Sequence, residues 1–379
     1  MPPVPPPPAA PPTVPDPDQR TAALGVRDRV EEVLAAFVDD QRRVLGELGD
    51  DCEPLLEAVT TLLAGGKRLR PAFCYWGFRG ADGGVPGEAE AGVVTAAAAL
   101  ELFQAAALLH DDVMDDSDTR RGKPAAHRWF AGLHAGAGWS GSAERFGLAG
   151  AVLAGDLCLA WSDELYSRAP LGADALRRGR RVFETMRTQL MGGQYLDMLE
   201  QASSEALGPA GAVERARRVV RFKSAKYSVE HPLLLGATLA GAPEPLLADL
   251  SRFGLALGEA FQLRDDVLGV FGDPEETGKP AGDDLREGKR TVLVALAVQA
   301  ASPAQAALVS RHLGDPQLDG DGVAALRRVL VDTGALDGVE RIIAEQVDVA
   351  CSTLDAADLA EPARAALHEL VVAATRRSS

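Results

Sequence analysis

The sequence is poor in cysteine, aromatic residues and positive charge. Its four cysteines lie far apart and form no CxxC pair, which argues against a disulfide framework or a zinc site and favours reduced thiols in a cytoplasmic protein. Aromatic residues make up 5%, which suits packed helices better than a β-sandwich or barrel. Lys and Arg number 39 against 55 Asp and Glu, and the net charge of −16 argues against a nucleic-acid partner.

No uninterrupted apolar run reaches the length of a membrane span, so no transmembrane segment is predicted. Residues 1–20 are rich in proline, which removes backbone donors and fixes φ, and they are predicted to form a disordered or polyproline tail. From Thr21 onward, apolar residues recur at three- and four-residue spacing, as at Val30, Val33, Leu34 and Phe37. The pattern predicts one all-α domain over residues 21–379, a single-domain bundle of about ten or more helices.

The most informative segment is LLHDDVMDDSDTRRGKPAAHR. Asp111 and Asp115 are four residues apart and would share one helical face, where like charges repel. An apolar run precedes them, so burial would raise the cost of leaving these carboxylates unpaired. A divalent cation relieves that cost, and Mg²⁺ prefers a few carboxylates together with phosphate oxygens. Arg120 and Arg121 follow, with guanidinium groups suited to phosphate. The alternative is a solvated acidic helix end followed by a basic turn.

A second acidic pair, Asp265 and Asp266, also follows an apolar helical run, and Lys279 and Lys289 lie in the Gly- and Pro-rich segment after it. Two acidic helix ends, each followed by basic residues, are what a diphosphate–metal cluster requires from opposite walls of a cavity. A third basic cluster lies in GGKRLRP, where two glycines would let the backbone approach an anion. Acidic pairs are also common by chance in so acidic a chain.

Together these segments resemble the trans-isoprenyl diphosphate synthase, or polyprenyl synthetase, family over roughly residues 50–295. Six motifs appear in the family's order: GGKRLRP, DDxxD with RRGxPxxH, GQxxD, KxxxY, GxxFQxxDD and GKxxGxDL. The similarity is greatest to bacterial geranylgeranyl diphosphate synthases. It implies the isoprenoid synthase fold, an all-α bundle around a central cavity, and Mg²⁺-dependent head-to-tail condensation of isopentenyl diphosphate with dimethylallyl, geranyl or farnesyl diphosphate. It also favours a homodimer.

The resemblance implies a role for individual residues. The expected metal ligands are Asp111, Asp112, Asp115 and Asp265. The residues expected to hold isopentenyl diphosphate are Lys67, Arg70, Gln104 and Arg121. Those expected to hold the allylic diphosphate are Arg120, Lys223, Ser224 and Lys279. Lesser site positions fall on Gln194, Asp197, Gln262 and Asp266, and packing or hydrogen-bonding roles fall on His110 and His127. Catalysis is expected to depend chiefly on Asp111, Asp115, Arg120, Lys223, Asp265 and Lys279.

The second acidic motif departs from the family pattern, because it reads DDVLG and Gly269 replaces the last Asp. Activity is expected to survive with weaker Mg²⁺ binding. Product length is expected to depend on residues before the first motif, where Ala106 and Ala107 leave room and Phe103 lies one helical turn, about 5.4 Å, deeper. A twenty-carbon product is therefore predicted.

Several alternatives stay open from the sequence alone. A farnesyl or longer-chain synthase would use the same motifs. A non-catalytic subunit of a hetero-oligomeric synthase would fit the loss of a carboxylate at Gly269. A terpene cyclase shares the fold, but its second metal motif normally contains Asn, which this sequence lacks entirely.

Overall fold

The structure is a computed structural model that describes residues 17–82, 87, 89–208, 210–272 and 282–375. The regular secondary structure of the described part is helical apart from one hairpin with two residues in each strand, as the all-α prediction requires. In chain order the long elements are α1 (Pro17–Gly46), α2 (Glu53–Leu63), α3 (Leu69–Ala81), α4 (Glu90–Met114), α5 (Ala126–Gly136), α6 (Ala143–Ser167), α7 (Ala173–Leu207), α8 (Ala212–Val219), a π-helical segment (Val220–Glu230), α9 (His231–Ala240) and α10 (Glu244–Phe271). The remainder are α11 (Asp283–Arg286), α12 (Val292–Ala300), α13 (Pro303–His312), α14 (Gly320–Asp332), α15 (Ala335–Ala356) and α16 (Glu361–Thr375).

The predicted boundary between tail and domain needs one correction. Helix α1 begins at Pro17, so residues 17–20, predicted to be unable to form a helix, belong to it. Proline is tolerated in the first turn of a helix, where its missing N–H would have had no intrahelical partner. The rest of the predicted tail, residues 1–16, lies outside the described residues.

Helix α4 is the central core helix, and small residues let its neighbours approach it closely. Alanines 96 to 99 are completely buried, and α6 packs along its length. By length and mean hydropathy both α4 and α6 could cross a membrane, but 78% of the apolar window of α4 is buried inside the protein, against 39% for α6. The apolar character of α4 is therefore explained by its place in the core.

Helix α10 connects two apolar clusters. Its first half contributes Leu250 and Phe253 to a large cluster that contains α4, whereas Leu263 and Val267 in its second half belong to a smaller cluster with α12, α14 and α15. The helix therefore places Asp265 and Asp266 at the junction of the two clusters, next to the cavity described below.

The hairpin after α4 turns the chain back toward the helix end. Strands Thr119–Arg120 and Lys123–Pro124 pair antiparallel, with Arg120 opposite Lys123. Arg121 and Gly122 form the two-residue loop with φ of 52° and 73°. Positive φ at both loop positions is the signature of a type I′ turn, which explains the glycine of the RRG motif.

Candidate active site

A cavity of about 1150 Å³ lies between α3, α4, α7, the π-helical segment and α10. It brings together most of the site residues predicted from the sequence. The predicted residues that line it are Lys67, Arg70, Phe103, Gln104, Ala107, His110, Asp111, Arg120, Arg121, Gln194, Asp197, Lys223, Ser224, Gln262, Asp265 and Asp266. Lys279 lies outside the described residues, so its predicted role stays a prediction.

The first acidic motif occupies the carboxyl end of α4, as predicted. Asp111 accepts a hydrogen bond of 2.8 Å from Gln194 Nε2, and its Oδ1 lies 3.1 Å from Lys223 Nζ. Lys223 Nζ also lies 2.6 Å from Asp197 Oδ2. Burial raises the pKa of Asp111, but the positive charges of Lys223, Lys289 and Arg120 outweigh burial and leave the pKa below its ordinary value.

Asp112 and Asp115 belong to the same motif but do not line the cavity. Asp112 is 1% exposed and accepts hydrogen bonds from Arg120 Nε, at 2.9 Å, and from Arg120 Nη2. Its second oxygen, Oδ2, is buried without a hydrogen-bond partner among the described residues. Burial and the neighbouring Asp111 carboxylate raise the pKa of Asp115 to about 6. The motif therefore carries negative charge that side chains only partly neutralise.

The second acidic motif lies near the carboxyl end of α10. Asp265 lines the cavity, whereas Asp266 is 7% exposed and accepts a 2.8 Å hydrogen bond from Gln262 Nε2. Burial raises the pKa of Asp266 to about 7 despite that hydrogen bond. The first acidic motif thus occupies a helix carboxyl end, where the helix dipole adds negative potential and favours a cation. Asp265 and Asp266 lie six and five residues before Phe271, the last residue of α10, and so precede its last turn.

The residues of GGKRLRP divide between packing and the cavity. Arg68 is buried with its Nη1 2.6 Å from Glu101 Oε2, and its φ is +50°. Arg70 lies over the Tyr227 ring, 4.3 Å from the centroid, and donates a 2.7 Å hydrogen bond to Ser228 Oγ. Arg121, from the hairpin, donates to the carbonyl oxygens at 62 and 64, which brings it to the same rim of the cavity.

Aromatic rings close the inner part of the cavity. Phe103 is 1% exposed and meets Tyr227 edge-to-face at 5.7 Å between centroids and Phe183 at 6.5 Å. Ala107 lines the cavity one turn nearer the acidic motif, and Ala106 is completely buried in the core. Tyr227 OH donates to Gln104 Oε1, so a residue predicted to hold substrate is also tied to this aromatic floor.

These residues suit a hard divalent cation that is shared with phosphate. No three carboxylate, imidazole or thiol groups within the described ranges converge closely enough to hold a metal ion alone. Mg²⁺ is usually bound through one or two carboxylates plus waters and substrate phosphates, so a protein-only cage is not required. The raised pKa of Asp115 and the unpartnered Oδ2 of Asp112 indicate negative charge that a cation would stabilise.

Sequence analysis gave no individual role to Lys289 and Asp284, which line the cavity. Lys289 Nζ lies 2.6 Å from Glu287 Oε2, 3.3 Å from Asp284 Oδ1 and 3.9 Å from Asp115 Oδ2, so it connects the two acidic walls. Asp284 itself lines the cavity. Both belong to the segment GKPAGDDLREGKRT. Residue spacing alone could not predict that Asp284 and Lys289 lie close to the end of α10 at Phe271, 13 and 18 residues earlier in the chain.

Known proteins are similar to this chain in architecture and in sequence. The family model for polyprenyl synthetase matches residues 52–329. A crystal structure of geranylgeranyl pyrophosphate synthase from Corynebacterium glutamicum, complexed with isoprenyl diphosphate and magnesium, is 39% identical, with a TM-score of 0.86 and coverage of 94% of this chain and 98% of that one. Geranylfarnesyl diphosphate synthase of Aeropyrum pernix is 34% identical over 280 residues, 73% of this chain and 79% of that protein. Geranylgeranyl diphosphate synthase of Methanosarcina mazei is 31% identical over 309 residues, 80% and 84% of the respective chains.

The helical fold and the acidic cavity are those of an isoprenoid-synthase-type prenyltransferase. The chain belongs to the polyprenyl synthetase family. It is a trans-prenyl diphosphate synthase that condenses isopentenyl diphosphate, as the sequence motifs predicted.

Proposed function

We propose that this protein extends an allylic diphosphate by head-to-tail addition of isopentenyl diphosphate, with Mg²⁺ as cofactor and geranylgeranyl diphosphate as main product. The observation that carries the proposal is the pair of acidic helix ends at one cavity, with Lys and Arg side chains between them and an aromatic floor beneath. The dimethylallyl, geranyl and farnesyl diphosphates are the expected starters. The Corynebacterium enzyme, with its isoprenyl diphosphate and magnesium, supports this substrate class.

Asp111, Asp115 and Asp265 would hold the cation, with Asp112 supporting them through Arg120. When bound, Mg²⁺ neutralises charge that develops on the departing diphosphate. Arg120 and Lys223 are anchored by Asp112 and by Asp111 with Asp197, so their positive groups are already directed toward the cavity before substrate arrives. Such preorganisation lowers the cost of stabilising the leaving group, because little rearrangement is needed during the reaction. Ser224 and Lys279 complete this set in the proposal.

Lys67, Arg70, Gln104 and Arg121 would bind isopentenyl diphosphate. Arg70 and Arg121 come from different elements. Burial lowers the pKa of Arg121, and the nearby positive charges of Arg68, Arg120 and Arg70 lower it further. Burial is the larger cause of that shift. A bound anion would offset the repulsion among these positive charges, and a diphosphate is such an anion.

The carbon–oxygen bond of the allylic substrate breaks and leaves a carbocation and diphosphate. The double bond of isopentenyl diphosphate then attacks the cation, and the departed diphosphate accepts the proton that is lost. The apolar walls around Phe103 and Ala107 exclude water, which would otherwise capture the cation. No side-chain base is needed.

Product length follows from the depth of this apolar pocket. Ala107 leaves the chain room to grow, and the buried Phe103, held by Tyr227 and Phe183, ends the pocket about one turn deeper. We therefore expect growth to stop at twenty carbons. The Methanosarcina relative is named for a twenty-carbon product and the Aeropyrum relative for a twenty-five-carbon product. The twenty-carbon length therefore rests on the depth of the pocket.

Incubation of the purified protein with labelled isopentenyl diphosphate, Mg²⁺ and each starter tests the proposal. After dephosphorylation, chromatography is expected to show a series ending at twenty carbons, and Phe103→Ala is expected to lengthen the product. Phe253→Ala, a matched change at a core phenylalanine that is 1% exposed, controls for loosened packing and should leave product length unchanged. A dominant fifteen-carbon product would contradict the assigned pocket depth. Absence of elongation with every starter would favour the non-catalytic subunit.

We further propose a homodimer formed through α6. The outer face of this helix and the turn before it expose Trp139, Phe146, Val152 and Leu153 by 39–55%. Apolar groups of this size at one surface are typical of a buried interface between subunits. We expect the dimer to be soluble and cytoplasmic, since its cysteines are unpaired. A monomer mass by light scattering would refute the dimer.

A further inference from the structure

Glu101 is a buried carboxylate of the cavity wall to which neither acidic motif nor the proposed function gives a role. It belongs to α4, ten residues before Asp111, and it lines the cavity although it is only 7% exposed. Burying a carboxylate is costly unless the charge is paired. The group that pairs with Glu101 therefore indicates what this residue does.

The partner of Glu101 is Arg68, the middle basic residue of GGKRLRP. Arg68 Nη1 lies 2.6 Å from Glu101 Oε2, and the arginine side chain is 4% exposed. Its Nη2 donates to the carbonyl oxygen of Leu63 at the end of α2, and its Nε lies 3.6 Å from Glu31 Oε1 in α1. The guanidinium is therefore bound to protein groups on three helices, which leaves little of it to contact a substrate.

Arg68 also has an unusual backbone conformation. Its φ of 50° and ψ of 37° lie in the left-handed region, which only three non-glycine residues of the described ranges enter with positive φ. A residue with a side chain adopts this region at a cost, so the conformation persists only where surrounding contacts hold it. Arg68 is the N-cap of α3, so this turn sets the course of the chain from Lys67 before it to Arg70 after it.

The loop between α2 and α3 is held from its other side by Arg121. This arginine donates hydrogen bonds of 3.0 and 3.2 Å to the carbonyl oxygens of Leu62 and Ala64. A Cβ built on Gly66 would lie 3.5 Å from Arg121 Nη2 and 3.8 Å from Arg68 Nη1, so both guanidinium groups lie against this glycine. The loop is therefore fixed between one arginine anchored on α4 and one from the hairpin.

We propose that Glu101 is a positioning residue for the isopentenyl diphosphate site. It holds Arg68 in the left-handed conformation, and Arg68 fixes the loop from which Lys67 and Arg70 reach the cavity. The inference rests on the proposed function, which assigns Lys67 and Arg70 to isopentenyl diphosphate. Loss of the ion pair therefore weakens the binding of this substrate and leaves the allylic substrate and the chemical step unaffected.

Glycine and alanine at position 68, each combined with Glu101→Gln, test the proposal in the full-length protein. Both double variants remove the same ion pair and leave no buried carboxylate unpaired, but only glycine adopts a positive φ without strain. Steady-state kinetics with Mg²⁺, isopentenyl diphosphate and farnesyl diphosphate gives a KM for each substrate. Farnesyl diphosphate is the chosen starter because it needs a single condensation to reach twenty carbons.

The two double variants should differ in one constant. Glu101→Gln alone and Glu101→Gln/Arg68→Ala should raise the KM for isopentenyl diphosphate about tenfold, because the groups that bind it are displaced. Glu101→Gln/Arg68→Gly should stay within about threefold of wild type, since glycine keeps the turn without the ion pair. In all three variants kcat and the KM for farnesyl diphosphate should stay within about twofold of wild type.

Glu90→Gln is the matched control for loss of a helix glutamate that is paired with arginine. Glu90 also belongs to α4, lies 2.9 Å from Arg29 Nη1 and does not line the cavity. Its loss should lower the melting temperature and leave both KM values unchanged. If Glu101→Gln does not fold, the single variants Arg68→Gly and Arg68→Ala repeat the comparison, and the alanine variant should again have the higher KM for isopentenyl diphosphate.

Equal KM values for the glycine and alanine variants would overturn the inference, because the side chain of Arg68 would then matter and its backbone conformation would not. An unchanged KM for isopentenyl diphosphate in Glu101→Gln, or an equal rise in both KM values, would also overturn it. Absence of condensation by the wild-type protein would instead overturn the proposed function, and the inference with it.

Discussion

The two acidic walls of the cavity are built differently. The wall at the end of α4 takes Asp111, Asp112 and Asp115 from one five-residue segment. The wall at the end of α10 has Asp265 and Asp266 from the helix, and the next carboxylate belongs to Asp284, fifteen or more residues later. The same local charge can thus come from one motif or be assembled from two elements. Two family motifs therefore contribute to the second wall, the acidic pair on α10 and the GKxxGxDL segment that carries Asp284.

Neutralising one carboxylate on each wall should give the largest effect and the most direct comparison. Asp111→Asn removes the acceptor shared by Gln194 and Lys223, and we expect kcat to fall about a hundred- to thousand-fold, as for a lost transition-state contact. Asp265→Asn should cost less, about ten- to a hundredfold, because Asp284 leaves a second carboxylate on that wall. Steady-state kinetics at saturating substrate and Mg²⁺ measures both.

Asp116→Asn is the control for these changes. Asp116 is exposed, pairs with Arg128 and has a φ of 52°, which asparagine tolerates well. It should keep nearly full activity. Equal losses of kcat for Asp111→Asn and Asp265→Asn would show that both walls depend equally on their helix carboxylates, which would contradict the expected difference between the walls.

A smaller effect is expected in the dependence of stability on pH. The pKa of Asp266 is raised by burial to about 7, so the folded state holds this proton more tightly than the unfolded state does. The stabilisation is full below about pH 4, the ordinary pKa range, and is lost as the pH rises through 7. Asp266→Asn removes this loss. Its melting temperature relative to wild type should therefore rise by a few degrees between pH 5 and pH 8.

The corresponding change on the other wall sharpens the comparison. The pKa of Asp115 rises only to about 6, because Lys223 and Lys289 partly offset burial and the charge of Asp111. Asp115→Asn should gain less than Asp266→Asn over the same pH interval, and its gain should be complete by about pH 7. Thermal melts without Mg²⁺ measure both variants, and parallel pH profiles for wild type and Asp266→Asn would contradict the assignment.

Much of the fold was predictable because its signals are local. The 3.6-residue periodicity predicts helices near residues 86–116, 147–168 and 243–269, and α4, α6 and α10 begin and end within four residues of these bounds, since an apolar face repeats along the helix that carries it. The hairpin at Arg120 and Arg121 was not predicted as strand, because two paired residues on each side leave no alternation to detect. The short helix α5 also lacked a distinctive pattern. The π-helical segment overlaps residues 211–229, whose pattern predicts a helix but not its type.

The sequence by itself determined the acidic and basic groups, their helix ends and the family chemistry, because each motif carries its meaning in residue type and short spacing. Only the tertiary structure decided which groups meet. Lys289 contacts Asp115 of the first wall, and Asp284 lies against Gly269, because α10 and the chain that follows it fold back onto the end of α4. Contacts between residues so far apart depend on the packing of whole helices, which no local pattern encodes.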